Sequence, residues 1–400
     1  YTGTARVSDI NDVDNPNYIT LPACSGSRSV IDDVEDWNDN ITLGIDGVEV
    51  PAPEDMDSFS DGEYWQRADT RIVLRLLATG LPDTTNSPTG VEVVDVNGDN
   101  IPEATNAIHD ATCPGGITQG ATNYSVGTRG PNTSSKLRLF REYQFNSSVN
   151  SYQRTLEVDM RALLNCMHRF PDILDGKLLN DDTEEGLVFF FAIDGPLSNS
   201  TQNNYSVRIQ NGSELQSNIS GAETVKGLTL VTDQGLVIWG DYNSTGWVPA
   251  ALLSDTLWLL SNSWTDADSN LPNAYDRDGN ATTVFAAVLA GVARTGGANG
   301  IAGQDHGADS NGGGAINVFR FNEWFRIGTT GNIPDFTYEG SIVSIGPPRK
   351  SQSTWGPFTY YSAPNRDWSF EQRFNDADLL PPMTPTFVYL RQELFVRDYE

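Results

Sequence analysis

Lysine is nearly missing from this sequence: Lys136, Lys177, Lys226 and Lys350 are the only four in 400 residues. Basic charge is scarce altogether. Lys and Arg number 25 against 53 Asp and Glu, a formal net charge of -28. So acidic a surface repels phosphate, which excludes a general nucleic-acid binder and disfavours anionic membrane surfaces. Long apolar runs are also lacking. None approaches the roughly 18 residues of a membrane helix, so these residues contain no helical span. Histidine is limited to His109, His168 and His306, too scattered to spell a metal site or a catalytic triad. The opening Tyr1-Thr2-Gly3 does not read as a signal peptide, and a processed or truncated mature product is expected.

Cysteine is scarce too. Cys24, Cys113 and Cys166 have no metal-ligand spacing. Cys24 and Cys113 stand in polar turn-rich stretches, whereas Cys166 stands on an apolar helix face. In an oxidising compartment the expected pairing is Cys24–Cys113, with Cys166 a buried thiol, although three cysteines allow three choices. The acidic, Lys-poor, Asn/Asp/Gly/Ser/Thr-rich composition reads as an exported protein, extracellular or at the cell surface.

What is present is a β pattern. Thr70–Leu76 alternates like a half-buried strand, and Thr155–Asp159 reads as another. Leu137–Tyr143 forms a further ordered stretch. Gly186–Ile193 is a continuous apolar run of strand length, expected to be buried on both faces. Tyr205–Ile209 ends at the turn signal Asn211-Gly212. One helix is expected, Met160–His168, capped by Asp159. From residue 227 the rhythm changes. Leu228–Val231, Leu236–Trp239, Ala250–Leu253, Leu257–Leu260 and Thr283–Gly291 are short apolar pieces separated by polar corners. That is the pattern of stacked solenoid coils; a sandwich also uses short strands. The expected fold is therefore mainly β, a β-solenoid-like or β-sandwich core with one short helix and long loops. Three regions are expected. Residues 1–135 form an irregular acidic β region, 136–226 a β region with the helix, and 227–400 a solenoid-like region with an aromatic closing segment that ends in Phe387–Leu390. Residues 294–315 are Gly-rich without GK[ST], so they read as a loop rather than a phosphate cradle.

An ordered motif series runs through the second half: Gly227-Leu228-Thr229-Leu230-Val231-Thr232, Trp239-Gly240-Asp241-Tyr242-Asn243, Trp247-Val248-Pro249-Ala250-Ala251 and Leu259-Leu260-Ser261-Asn262-Ser263-Trp264. It continues in Asn317–Trp324, Tyr338-Glu339-Gly340-Ser341, Pro364-Asn365-Arg366-Asp367-Trp368 and Leu380–Pro385. Over residues 185–400 this resembles the C-terminal region of exported bacterial surface proteins, the PilX-type minor-pilin-like proteins of type IV pili and the hormogonium polysaccharide proteins. The resemblance implies a cell-surface or filament-associated role and no known reaction.

The sharpest chemical signal is Asp95-Val96-Asn97-Gly98-Asp99-Asn100-Ile101-Pro102-Glu103. Hard oxygens at alternate positions of a turn, followed by a backbone carbonyl, suit Ca²⁺. The expected ligands are Asp95, Asn97, Asp99, the Ile101 carbonyl and Glu103. A second candidate gathers Asp266, Asp268 and Asn270 with Asp276 and Asp278. Asp9, Asp12 and Asp14 form a third, weaker one. No carboxylate pair stands out for hydrolysis, and the chain is read as no enzyme. Ten N-x-[ST] sequons permit glycosylation. Two functions are expected to compete. One is a Ca²⁺-stabilised structural subunit of a surface filament or pilus-like appendage, or a pilus-associated adhesin, partnered by itself or by other pilus subunits. The other is a secreted carbohydrate-binding protein or polysaccharide lyase meeting surface glycans, with exposed Trp as the sugar platform.

Overall fold

The computed structural model describes residues 51–113, 154–196, 198, 205–271, 276–291, 318–325, 333–345, 348–350 and 362–384. Residues 52–383 form one unit, and of the other, residues 1–51 and 384–400, only Pro51 and Thr384 are described. The stretch Leu137–Tyr143, the Gly-rich segment, the terminal strand Phe387–Leu390, Cys24, Asp9, Asp12 and Asp14 lie outside the described residues.

The fold is mainly β. In chain order the strands are β1 (Thr70–Arg75), β2 (Val91–Val94), β3 (Arg154–Asp159), β4 (Leu187–Asp194), β5 (Tyr205–Gln210), β6 (Leu228–Trp239) and β7 (Ala250–Leu260). They continue as β8 (Thr282–Phe285), β9 (Ala287–Ala290), β10 (Phe319–Phe321), β11 (Asp335–Gly340), β12 (Ile342–Ser344) and β13 (Asn365–Phe370). They form one 10-stranded and one 3-stranded sheet, both open rather than closed into a solenoid. All pairings between named strands are parallel except β1 with β2, unlike the antiparallel pairing of a sandwich.

Within these open sheets the chain winds in repeating coils. One ladder runs β2-β1-β4, the first half of β6, the first half of β7, β9 and β12. A second runs β3-β5, the second half of β6, the second half of β7 and β10. The third is β8-β11-β13, extended by a bridge from Tyr242 to Val284. From β6 to β11 the chain visits the three ladders in the same order on each return. The inward residues of successive coils then stack into one apolar column, including Leu187, Leu228, Ala250, Leu236, Leu257 and Phe319.

The local reading and the structure differ where tertiary pairing took over. The corners expected inside 228–239 and 250–260 are bends within continuous strands, marked by a register shift between Thr232 and Gly235. The expected divisions at 135 and 226 are crossed by strand pairs, β1 with β4 and β5 with β6. The expected helix is present as Met160–Arg169, with Asp159 Oδ1 accepting from Ala162 N at 3.0 Å. Two shorter helices join it, α1 (Glu63–Arg67) and α2 (Pro102–Ile108), so that helix is α3. Helix α2 begins with Pro102 at its first position, where the missing N–H costs nothing. The disulfide joins Cys113 to Cys166, with Cα atoms 5.1 Å apart, and corrects the expected Cys24–Cys113 pairing and free Cys166 thiol. The reason is packing: α2 and α3 bury Ala107 and Cys166 in one core, which delivers Cys113 to its partner.

Candidate functional site

The acidic turn after β2 is built by its own side chains. Asp95 Oδ1 accepts from Asn97 N at 2.9 Å and Asp99 N at 2.8 Å, and Oδ2 accepts from Asn97 Nδ2 at 3.2 Å. The Asp99 amide holds the Asp95 carboxyl below its usual pKa, helped by Asn97. Gly98 supplies the positive φ of 83° that closes the turn. The structure therefore brings Asp95, Asn97 and Asp99 into one turn. Ile101 and Glu103 belong to α2 instead: the Ile101 carbonyl accepts from Thr105 N at 2.9 Å, and Glu103 is exposed on the first helical turn.

The second acidic candidate is dispersed. Asp266 pairs with Arg208 at 2.7 Å. Asp268 caps its own turn, accepting from Thr265 N at 2.7 Å. Asp276 and Asp278 are exposed, and the Asp278 carbonyl accepts from Ser263 Oγ at 2.7 Å. Asn270 ends the 3-10 turn Asp266–Asn270. Among the described residues no group of three or more His, Cys, Asp and Glu converges as a metal site.

Three other arrangements were not evident from residue spacing. The first is a set of tryptophan–arginine stacks. Trp65, Trp239, Trp247, Trp258, Trp264 and Trp368 each carry an arginine guanidinium over the ring, at 3.9 Å for Arg373 on Trp247 and 4.8 Å for Arg208 on Trp239. Among the described tryptophans, Trp65, Trp258 and Trp264 are buried and Trp239, Trp247, Trp324 and Trp368 are half-buried. Arg208 is itself buried, joined to Glu157 and Asp266.

The second is Glu323, 1 % exposed, whose carboxylate accepts from Ser261 N and Ser261 Oγ, both at 2.6 Å. Burial pushes its pKa up to about 7, against the two Ser261 hydrogen bonds that pull it down. Asp268 adds to the rise and Arg277 opposes it. A carboxyl so enclosed can store a proton but offers substrate no approach.

The third lies at the bends of β6 and β7, where Asp233 and Asp255 occupy matching positions in successive coils. Both are buried. Asp233 meets Lys350, and Asp255 accepts backbone N–H groups from Arg349 and Lys350. The echo of Thr232-Asp233-Gln234 in Ser254-Asp255-Thr256 is the sequence signal that could have found it. Elsewhere, Asp159, Arg161, Ala162, Asn165, Asn211 and Ser213 line an open polar hollow of about 270 Å³ beside α3. Four sequons fall on described residues. Asn243 is buried and fully engaged, whereas Asn211, Asn218 and Asn280 are exposed.

No family model, curated protein or solved structure matches the chain.

Proposed function

We propose that the chain is a non-catalytic, exported structural or adhesive module of a cell-surface filament, steadied by Ca²⁺ at the Asp95–Asn97–Asp99 turn. The observation that carries this reading is the end of the coil stack. Strand β13 pairs with β11 on one side, and among the described residues no strand pairs with its other side. Five of its six residues are exposed, Phe370 among them at 47 %. An open edge at the end of a stack of parallel coils is a head-to-tail docking strand, the heterologous interface that a filament requires. The Cys113–Cys166 disulfide supports an oxidising compartment and hence export. The resemblance of residues 185–400 to pilus-associated surface proteins points the same way. The arginine-covered indoles weigh against the carbohydrate-binding alternative.

Negative-stain electron microscopy of the purified chain, with Ca²⁺ and then with chelator, tests the proposal. Regular assemblies that disperse in chelator, and that Ser369→Pro abolishes, are expected. Single particles at every protein and Ca²⁺ concentration would sink it.

A further inference from the structure

Lysine is used where arginine is the better ion-pair partner. Arginine stays charged and offers a planar fork, and this chain, with 21 arginines (25 basic residues less four lysines), relies on it for its tryptophan stacks and most ion pairs. A lysine gives what arginine cannot, an amine that becomes a nucleophile once it is neutral. Of the three described lysines, Lys226 is exposed. Lys350 is buried, its Nζ 2.6 Å from Asp233 Oδ2, with the side chains 8 % and 3 % exposed.

We propose that Lys350 and Asp233 condense into an intramolecular amide, a covalent staple between the segment after β12 and the bend of β6. Both reactants are held. The Lys350 backbone N–H donates to both carboxylate oxygens of Asp255 at 3.1 Å, and Arg349 N donates to the same carboxylate at 2.5 Å. The Arg349 guanidinium grips Asp57 at 2.7 Å and the Pro53 carbonyl at 2.6 Å. On Asp233, Ser58 Oγ donates to Oδ2 at 2.6 Å and Gln234 Nε2 donates to Oδ1 at 3.0 Å. Such fixed contact raises the effective concentration of amine at the carboxyl by orders of magnitude.

The ion pair already contains every atom the reaction needs. The reaction starts with transfer of one proton from Nζ to the carboxylate within this contact, which leaves an amine facing a carboxylic acid. Nζ then attacks Cγ and the C–N bond forms, with negative charge on oxygen met by the Ser58 hydroxyl and the Gln234 amide. A proton from Nζ passes to the leaving hydroxyl, the C–O bond breaks, and one water departs. No oxidant, reductant or co-reactant takes part. The product links residues 117 apart in sequence, beside the bend of β7 that holds Asp255.

Lys177 with Asp69 is the internal control. Asp69 is buried, but the Lys177 side chain is 34 % exposed and also meets Asp181 at 3.2 Å, so solvent and a second carboxylate hold it as an ammonium. The staple does not depend on filament formation.

The test is the intact mass of the reduced full chain, followed by a peptide map. The expected result is a chain lighter by one water, with a branched peptide joining the segments around Lys350 and Asp233. In Lys350→Arg and in Asp233→Ala the missing water returns. The map of the unsubstituted chain decides the matter even where a variant does not fold. A mass equal to that of the sequence, or a lost water located in a succinimide or at Lys177, would overturn the assignment.

Discussion

Glu323→Gln separates the energetic cost of a buried charge from the packing of the side chain that bears it. The folded chain raises this carboxyl from 4.5 to about 7. The sign follows from linkage. A raised acid binds its proton more tightly in the folded state, so its favourable contribution is complete below pH 4.5 and declines as the pH climbs to about 7. At about 1.4 kcal/mol per pKa unit, the full change is about 3 kcal/mol. Glutamine has nearly the same shape, never ionises, and can still accept from Ser261 N, while the Ser261 hydroxyl can turn to accept from the new amide. Denaturant unfolding followed by tryptophan fluorescence at pH 4.5 to 8.5 gives the difference between variant and unsubstituted chain, in which the titration of the many other acids cancels. The stability of the variant relative to the unsubstituted chain should rise with pH by about 3 kcal/mol and level off above pH 7 to 8. A difference constant across that range would show that Glu323 is not desolvated as the structure places it, and the reasoning would fail.

Two further outcomes test the packing. Asn243 is fully buried, donating to the Val248 and Phe285 carbonyls at 2.8 and 3.0 Å and accepting from Val248 N at 3.1 Å, with a φ of 54°. Asn243→Ala leaves these groups unpaired and should cost about 3 kcal/mol or more by denaturant unfolding, whereas Asn280→Ala, on the exposed sequon, should cost far less. The Cys113–Cys166 bond closes a loop with a separation of 53 residues, so Cys113→Ser with Cys166→Ser should lower stability by about 4 kcal/mol, read as a drop in melting temperature. Non-reducing mass mapping should find Cys24 outside that bridge.

Much of the strand inventory was legible because a strand buried on both faces must be apolar throughout. Gly186–Ile193 is such a run, and Leu187–Ile193 is buried throughout in β4. Helix α3 was legible because Asp159 caps it and its apolar residues recur at helical spacing. Helix α2 was hidden inside a motif that also fits a cation loop: Asp95-Val96-Asn97-Gly98-Asp99 forms the turn, and the following residues turn helical at Pro102. The joining of Leu228–Val231 to Leu236–Trp239 was hidden too. Polar residues between apolar runs look the same whether the chain leaves the sheet or bends within it.

The sequence by itself determined the β-rich class, the acidic surface, the strand segments of the second half and the capped helix, since these follow from composition, periodicity and nearest-neighbour chemistry. The tertiary structure alone decided which cysteines meet, that the strands pair in parallel, and that Lys350 lies against Asp233. Those outcomes depend on contacts 53 and 117 residues apart, where the stacking of whole coils, rather than local preference, chooses the partner.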